Sequence, residues 1–244
     1  YWRARADKAL GRTAQAGQMF TALARETNYY GQLAQEELDG EVSSSAINVK
    51  TSGEEADAVA RLPGMQRAMI LYRLGLRTEA TNEWNWTARN FDDRELLAAA
   101  ELARRAEWFD QAINTAEKTR DIHDFELRYL APYRELASVA AAENKLDEAW
   151  VYGLMRQESR FINVARSRVG ASGLMQIMPD TARWIANRLG IKRFDVDEMR
   201  SPATNIKFGT YYLKHVQDRL DGSPVLATAA YNAGPGRAQR WRST

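Results

Sequence analysis

The 244-residue sequence predicts an all-α protein, and two observations carry that prediction. Alanine, leucine, glutamate and arginine, all good helix formers, dominate residues 1 to about 140. Apolar residues there recur three or four positions apart, as in Leu96, Ala99 and Ala103, whereas strand-like alternation is almost absent. The serine-rich stretch 42–51 is predicted to be a loop. No run of residues approaches the roughly 20 apolar residues that a membrane-spanning helix needs.

A weak repeat runs through the first 150 residues. Four times a polar turn ends in an alanine that opens a new predicted helix, and these alanines follow one another at distances of 64, 32 and 37 residues: Ala16, Ala80, Ala112 and Ala149. A period of roughly 32 to 37 residues, with one unrecognisable copy near residue 48, is typical of paired-helix solenoids of the tetratricopeptide type. Such a solenoid would be a curved scaffold for a ligand or partner. The alternative is that helical hairpins share a small residue where their helices cross.

Near residue 141 the sequence changes, because glycines become frequent at positions that separate helices. Pro179 opens a helix that Gly190 can close, and Ser201 with Pro202 provides an N-cap and a first-turn proline for the next helix. That second helix carries its apolar side chains on one stripe: Ile206, Leu213, Val216 and Leu220.

The two predicted domains, residues 1–140 and 141–244, differ in charge. The second holds 16 Lys and Arg residues against 10 Asp and Glu, a net charge of +6, which leaves −4 for the first because the whole chain carries +2. A basic domain suits an anionic polymer such as nucleic acid or carboxylate-bearing peptidoglycan. The basic residues are scattered singly, so nucleic acid gains little support, and a solvated mixed surface is an equally good interpretation.

Residue types also limit the chemistry. The chain has no cysteine, which excludes disulfides and thiolate metal sites. The two histidines, His123 and His215, lie far apart among polar helical residues, and we interpret them as surface or hydrogen-bonded side chains rather than metal ligands. We predict no metal and no cofactor.

A candidate catalytic residue lies near the end of a predicted helix. Glu158 falls on an otherwise apolar stripe, whereas the neighbouring Arg156 and Arg160 face elsewhere. A carboxyl group in apolar surroundings loses hydration, so its pKa rises, as a general acid near neutral pH requires. The alternative is a buried glutamate that pairs with an arginine across the core. The stripe consists of Val151, Leu154, Met155, Phe161 and Ile162.

Two later segments hold polar residues in apolar or loop surroundings. Gly170 and Gly173 permit unusual backbone conformations and close approaches in a loop. Gln176, an amide among apolar side chains, must find hydrogen-bond partners in that loop or in a ligand. Tyr231 and Asn232 end a third predicted helix, where they could hold a carbohydrate or the catalytic carboxyl group; capping and packing are the alternative.

Three segments in this order resemble the signature segments of soluble lytic murein transglycosylases, lysozyme-like enzymes that cut bacterial cell-wall glycan. They read Gln-Glu-Ser-Arg-Phe at 157–161, Gly-Ala-Ser-Gly-Leu-Met-Gln-Ile-Met-Pro at 170–179 and Ala-Tyr-Asn-Ala-Gly-Pro-Gly at 230–236. The motif similarity covers residues 148–242, and the helices before it look like the superhelical domain of the large periplasmic members. The resemblance thus implies a helical-hairpin superhelix followed by a lysozyme-like α domain.

The resemblance also implies roles for individual residues. Glu158 matches the sole catalytic carboxyl group of the family. In the implied reaction Glu158 protonates the oxygen that links N-acetylmuramic acid to N-acetylglucosamine. It then takes the proton of the muramyl 6-hydroxyl, which attacks its own C1 and closes a 1,6-anhydro ring. The residues that match substrate-binding positions are Ser167, Gln176, Met178, Tyr231 and Asn232.

The sequence agrees modestly with a single catalytic carboxyl group. From Glu158 to Pro179 there is no other Asp or Glu. Asp180, Asp195 and Asp197 remain as alternatives, since folding could bring one of them close to Glu158.

Further expectations from the resemblance concern the cellular context. We expect a periplasmic protein that binds peptidoglycan glycan strands and meets cell-wall synthesis proteins through its helical repeats, with outer-membrane attachment through a segment before Tyr1 left open. The chain opens without an initiator methionine and stops eight residues after Gly236, so we expect both ends to be cut and the second domain to be incomplete.

Other functions stay open at the level of sequence. A hydrolase of the same fold would add water and leave free reducing ends, so the chemical form of the product distinguishes it. A non-enzymatic scaffold would bind glycan while the repeats recruit partners. Nucleic-acid binding by the repeats has only the basic second domain in its favour.

Overall fold

The computed structural model describes residues 1–38, 40 and 48–242. Within these residues the chain forms fifteen α-helices, two short 3-10 turns and isolated β-bridges but no strand, which confirms the all-α class. None of the helices in that part of the chain is long and apolar enough to cross a membrane. The predicted loop at 42–51 lies mainly outside the described residues, as does the region of the unrecognisable repeat copy.

The chain divides into two compact units, of which the first comprises Tyr1–Lys50 and Arg120–Phe125. Its helices are α1 (Trp2–Ala9), α2 (Thr13–Leu23) and α3 (Tyr29–Glu37). They enclose a small core whose largest side chain is Phe20. His123 is buried in this unit with Nε2 at 3.2 Å from the Thr27 hydroxyl, as expected of a hydrogen-bonded histidine.

The second unit, Thr51–Thr119 and Glu126–Thr244, begins with helical hairpins. Two of their helices start with a capping box, in which Ser52 pairs with Glu55 and Asp92 pairs with Glu95. Trp84 and Trp108 pack edge to face in their core at 5.3 Å between ring centroids. The helices are α4 (Gly53–Ala60), α5 (Pro63–Arg73), α6 (Arg77–Thr87), α7 (Asp93–Arg105) and α8 (Phe109–Ala116).

The repeated alanines behave in two ways. Ala16, Ala80 and Ala112 all lie in the first turns of helices and are at most 2% exposed, so a small side chain is needed there. Ala149 begins a helix as predicted but its side chain is exposed. The small-residue packing of the repeat therefore ends before residue 149.

The rest of the second unit surrounds one large core. The first turns of two helices follow the prediction, since they start at Pro179 and Pro202, although the Ser201 side chain makes no capping hydrogen bond. Gly190 has a φ of +70° just after the first of them. The helices are α9 (Phe125–Arg128), of which Glu126 onwards belongs to this unit, α10 (Arg134–Glu143), α11 (Glu148–Ser159), α12 (Pro179–Arg188), α13 (Pro202–Asp218), α14 (Pro224–Ala233) and α15 (Pro235–Arg242).

Helix α13 occupies the middle of this core, because it packs against α10, α12 and α14. Its predicted apolar stripe is buried in full. Helix α10 crosses residue 140 and packs into the same core as α11 and α13, while the domain division at that residue stays a prediction.

Candidate active site

Helix α11 brings Glu158 to the surface of the large core. The Asp147 carboxylate caps the helix by accepting hydrogen bonds from the N–H groups of Ala149 and Trp150. The predicted apolar face is buried at Val151 and Met155, and Glu158 lies half-buried one turn further along. Burial raises the pKa of the Glu158 carboxyl group. The loss of hydration expected from the sequence is therefore present in the structure.

The carboxyl group of Glu158 has no polar partner among the described residues. Among residues 1–38, 40 and 48–242, none donates a hydrogen bond to its carboxyl group or forms an ion pair with it. Within the same residues, the interpretation as a glutamate paired across the core with an arginine thus finds no support. Desolvation without a compensating cation shifts the equilibrium of this carboxyl group toward its protonated form.

Both arginines near Glu158 face away from it, as predicted. Arg156 and Arg160 reach the same carboxylate, that of Glu117, at 2.6 Å and 2.9 Å. Arg160 also donates to Oδ1 of Asn114 at 2.6 Å. These contacts tie α11 to the last helical hairpin of the same unit.

Directly after Glu158 the chain turns sharply. Arg160 and Phe161 both have left-handed backbone conformations, with φ of +46° and +65°, which is uncommon for residues other than glycine. Ser159 stabilises this turn, because its Oγ accepts a hydrogen bond from the Phe161 N–H at 3.1 Å. The same hydroxyl donates to the carbonyl oxygen of Leu174 at 2.8 Å. Ser159, which the sequence interpretation did not single out, therefore joins the Glu158 helix to the glycine loop.

The glycine loop folds back on itself through backbone and side-chain hydrogen bonds. Ser167 Oγ accepts from the Ala171 N–H at 3.0 Å. Gln176, at φ +47°, donates its side-chain amide to the Gly173 carbonyl oxygen at 2.8 Å. Of the two predicted roles for Gln176, the structure thus contains the bracing of the loop. Met178 follows with a side chain that is 39% exposed.

A buried asparagine that the sequence interpretation missed lies beneath this loop. Asn205, in the first turn of α13, is 1% exposed. Its Oδ1 accepts from the Met175 N–H at 2.7 Å. Gly173, at φ +79°, lies so close that an added Cβ would collide with the Asn205 side chain. One signal was available: an asparagine beside the apolar stripe of a buried helix must find partners for its amide.

The third segment places Tyr231 beside Glu158. The Tyr231 hydroxyl donates to the carbonyl oxygen of Met175 at 2.8 Å. Burial raises the pKa of this hydroxyl well above its usual value, and the nearby Glu158 and Tyr212 raise it further. Asn232, the next residue, points its side chain to the surface. Helix α14 ends at Ala233, one residue beyond the predicted end, and Gly234 follows with a φ of +88°.

The structure thus brings part of the predicted site together. Tyr231 lies close enough to Glu158 for its hydroxyl pKa to be raised by that carboxyl group. The loop with Ser167, Gln176 and Met178 accepts a hydrogen bond from Ser159, the residue after Glu158, at the Leu174 carbonyl and from Tyr231 at the Met175 carbonyl. Two cavities in the same unit are lined by other residues of the glycine loop and of α12 and α13. One, of about 180 Å³, is lined by loop residues such as Gly170 and Ser172, and one of about 400 Å³ includes Tyr212 and Trp184.

The three aspartates left as alternative catalytic partners are engaged elsewhere. Asp180 is 97% exposed at its side chain and pairs with Arg183. Asp195 caps a 3-10 turn, and Asp197 pairs with Arg200 at 3.4 Å. None of them contributes to the raised pKa of Glu158. Among the residues that the structure describes, the arrangement therefore offers one carboxyl group with a raised pKa, near a tyrosine, for acid–base chemistry.

Two family models match the chain. The transglycosylase SLT domain model matches residues 135–244, and the soluble lytic murein transglycosylase L domain model matches residues 58–121. The first includes every residue of the candidate site, and the second overlaps most of the helical hairpins.

Similar proteins were found among both sequences and solved structures. The soluble lytic murein transglycosylase of Salmonella typhimurium is 30% identical over 247 residues, which cover 99% of this chain and 37% of the relative. The crystal structure of an inactive mutant of lytic transglycosylase Slt from Pseudomonas aeruginosa is 33% identical with a TM-score of 0.80, covering 99% of this chain and 39% of that one. The 70 kDa soluble lytic transglycosylase of Escherichia coli matches with a TM-score of 0.79 and 28% identity, at 99% and 39% coverage. The chain thus spans less than two fifths of the length of these relatives.

Proposed function

The chain belongs to the soluble lytic murein transglycosylase family, and from this premise we propose that it cleaves the β-1,4 bond between N-acetylmuramic acid and N-acetylglucosamine in peptidoglycan. The product would carry a 1,6-anhydromuramic acid end. One observation carries the proposal: Glu158 is a half-buried carboxyl group with a raised pKa and, among the described residues, without a second carboxylate engaged beside it.

That observation bears on the reaction type. Most glycosidases use two carboxyl groups on either side of the scissile bond, one as acid and one as nucleophile or base. A transglycosylase needs one, because the nucleophile is a hydroxyl of the substrate itself. Glu158 would first donate its proton to the glycosidic oxygen, which leaves as the hydroxyl of N-acetylglucosamine.

The second step returns the proton. The Glu158 carboxylate would accept the proton of the muramyl 6-hydroxyl while that oxygen bonds to C1 of the same sugar. No water enters, and the enzyme regains its protonated acid. Since the nucleophile is tethered to the reacting carbon, proximity supplies much of the rate.

The remaining predicted residues fit a glycan site, and we retain them as proposed substrate contacts. Ser167, Gln176 and Met178 lie on the loop bonded to the Glu158 helix. Tyr231 is adjacent to Glu158, and Asn232 follows at the surface. A 70-kDa soluble lytic transglycosylase that is 28% identical to this chain has been solved in complex with bulgecin A, which supports a ligand-binding cleft in this fold.

The wider context is also proposed. We retain two domains, residues 1–140 as a helical superhelix and 141–244 as the lysozyme-like domain, and a periplasmic location, which suits an enzyme of murein. The hairpins would meet cell-wall synthesis proteins. The separate matches of residues 58–121 and 135–244 to two family models support a division of the chain between the hairpins and the lysozyme-like domain.

The decisive test is the chemistry of the products. The protein is incubated with purified peptidoglycan, and the soluble products are identified by mass spectrometry. Anhydromuramic ends are expected. Free reducing ends would instead identify a hydrolase, and binding of glycan without any cleavage would identify a scaffold.

A further inference from the structure

Three helices around Glu158 are fixed to one short piece of backbone, the segment Leu174–Met175. The Leu174 carbonyl oxygen accepts a hydrogen bond from Ser159 Oγ at 2.8 Å, and the Met175 N–H donates to Asn205 Oδ1 at 2.7 Å. These two groups belong to a single peptide plane. The plane is therefore held by α11 on one side and by α13 on the other. The following carbonyl, that of Met175, accepts from the Tyr231 hydroxyl of α14.

The side-chain amide of Asn205 uses both its oxygen and its nitrogen in hydrogen bonds to the backbone. Its Nδ2 donates to the carbonyl oxygens of Ser172 and Met199, both at 2.9 Å, while Oδ1 faces the Met175 N–H. The amide cannot be turned over, because oxygen would then face two carbonyl oxygens and nitrogen would face an N–H group. Gly173 lies against this side chain, so the amide is also packed closely. The Asn205 side chain therefore fixes the position of the Met175 backbone N–H.

The single hydroxyl proton of Tyr231 has its acceptor on this piece of backbone. The proton is donated to the Met175 carbonyl oxygen, although Glu158 lies close enough to raise the pKa of the Tyr231 hydroxyl. In the part of the chain that the structure describes, Glu158 receives no hydrogen bond from any donor. A donor to a carboxylate stabilises its charged form and so makes it a poorer acid near neutral pH.

We propose that Asn205 is a positioning residue that, by fixing the Met175 carbonyl, keeps the Tyr231 proton away from Glu158 so that Glu158 can hold a proton of its own. The inference rests on the proposed role of Glu158 as an acid. Without Asn205 the Met175 carbonyl would lose its fixed place, and the Tyr231 hydroxyl would turn to the Glu158 carboxylate.

The other titratable groups near Glu158 and Tyr231 belong to α13, to α11 or to the residues that directly follow these helices. Tyr212 of α13 packs edge to face on Tyr231 at 5.4 Å, with His215 and Arg219 further along the same helix. On the helix of Glu158 itself, Arg156 and Arg160 are held by Glu117. Replacing Asn205 changes none of these charges.

The test is a direct titration of Glu158 by NMR, with ¹³C-labelled glutamate carboxyl groups and Glu158→Gln for assignment. In Asn205→Ala we expect the pKa of Glu158 to fall by about one unit. Adding Tyr231→Phe to Asn205→Ala should restore the wild-type value, because the proton that Asn205 restrains is then gone. Asn187→Ala, the same change at an exposed position of α12, should leave the titration unchanged.

Two results would overturn the inference. One is a folded Asn205→Ala protein, verified by circular dichroism, in which Glu158 titrates as in the wild type. The other is a higher pKa of Glu158 in Tyr231→Phe alone, since it would show that Tyr231 already donates to Glu158; this variant keeps the test decisive should Asn205→Ala fail to fold. The inference expects no change in Tyr231→Phe alone.

The rate of peptidoglycan cleavage as a function of pH tests the same inference through activity. The alkaline limb of the pH–rate profile of Asn205→Ala should move down by about one pH unit, with KM little changed, because less Glu158 carries a proton. If the wild type releases no products while the titrations behave as expected, the proposed function fails and the positioning role stands. If the wild type is active and the profile of the folded variant does not move, the positioning role fails.

Discussion

The helical hairpins of residues 53–116 and the Glu158 region, residues 148–233, belong to the same compact unit but are stabilised differently. In the hairpins the buried residues are chiefly alanines and two tryptophans that pack against one another. In the Glu158 region, buried or half-buried polar side chains bond to the backbone of other segments, as Ser159, Asn205 and Tyr231 do.

The difference matters because the two kinds of contact constrain atoms differently. Apolar packing is non-directional and spread over many contacts, so it fixes helices relative to one another. A hydrogen bond from a buried side chain fixes the position of one backbone atom, and losing it leaves an unpaired group. Changes in the hairpins should therefore alter stability, and changes in the Glu158 region should alter chemistry.

The largest effect is expected from removing the acid. Glu158→Gln keeps the size of the side chain but not its proton, so the rate of cleavage should fall about 10³-fold while the fold is retained. The rate of product release measures cleavage, and the circular dichroism spectrum measures whether the fold is retained. Glu148→Gln, at the start of the same helix, is the matched control and should keep its activity. Turnover close to that of the wild type in Glu158→Gln would refute the assignment of the acid.

The next effect tests the hairpins. Trp84 is fully buried and donates its indole N–H to Thr115 Oγ1 at 3.0 Å, so Trp84→Ala should lower the free energy of unfolding by about 4 kcal/mol. The kcat of the folded protein should stay unchanged. Trp86→Ala, at a side chain that is 65% exposed, should cost far less in a urea titration. A lower kcat in folded Trp84→Ala would show that the two regions are not separable.

A glycine tests the Glu158 region in the same way. Gly173→Ala adds a Cβ that collides with Asn205 at a φ of +79°, so we expect a loss of about 3 kcal/mol together with reduced kcat. Gly190→Ala has a similar φ of +70° but open space around the added Cβ, and should cost about 1 kcal/mol with kcat unchanged. Equal effects of the two substitutions would mean that the contact with Asn205 is unimportant.

Features of the structure that depend on residues close together in the sequence could be predicted, whereas features that depend on distant residues could not. The starts of α12 and α13, the apolar face of α11 and the outward direction of Arg156 depend on local periodicity and turn chemistry, and these predictions were confirmed. The left-handed turn at Phe161 is stabilised by the Ser159 hydroxyl, and this hydroxyl also bonds to Leu174 fifteen residues away. Periodicity carries no information on such a partner.

The asparagine illustrates the same limit. The need of a buried amide for partners could be read from the sequence, but its partner, the Met175 N–H, lies thirty residues earlier. The sequence interpretation recognised this need at Gln176, where the partners are within the loop, and not at Asn205. Positions that act through distant backbone are found only when the fold is known.

A smaller effect concerns pH and stability. Because burial raises the pKa of Glu158 above its value in the unfolded chain, the folded state binds this proton more tightly. The stabilisation is present at acidic pH and is lost as the pH rises through the folded-state pKa. Glu158→Gln should therefore raise Tm by about 2 °C at pH 7 but not at pH 4. Calorimetry at the two pH values measures this, and an equal Tm difference at both would contradict the desolvation of Glu158.

The smallest effect is expected where the two regions meet, at Glu117. Its carboxylate pairs with Arg156 and Arg160, which flank Glu158, but all three side chains are partly exposed, so Glu117→Gln should cost about 0.5 kcal/mol in stability. Glu83→Gln, which loses a comparable pair with Arg67 inside the hairpins, is the control. Because Glu117 contacts the end of α11 and Glu83 does not, only the Glu117 substitution should lower kcat, by a few-fold. Identical kcat values in the two variants would show that the hydrogen bonds of Ser159 and Asn205 suffice to position Glu158. The hairpins would then have no part in positioning this residue.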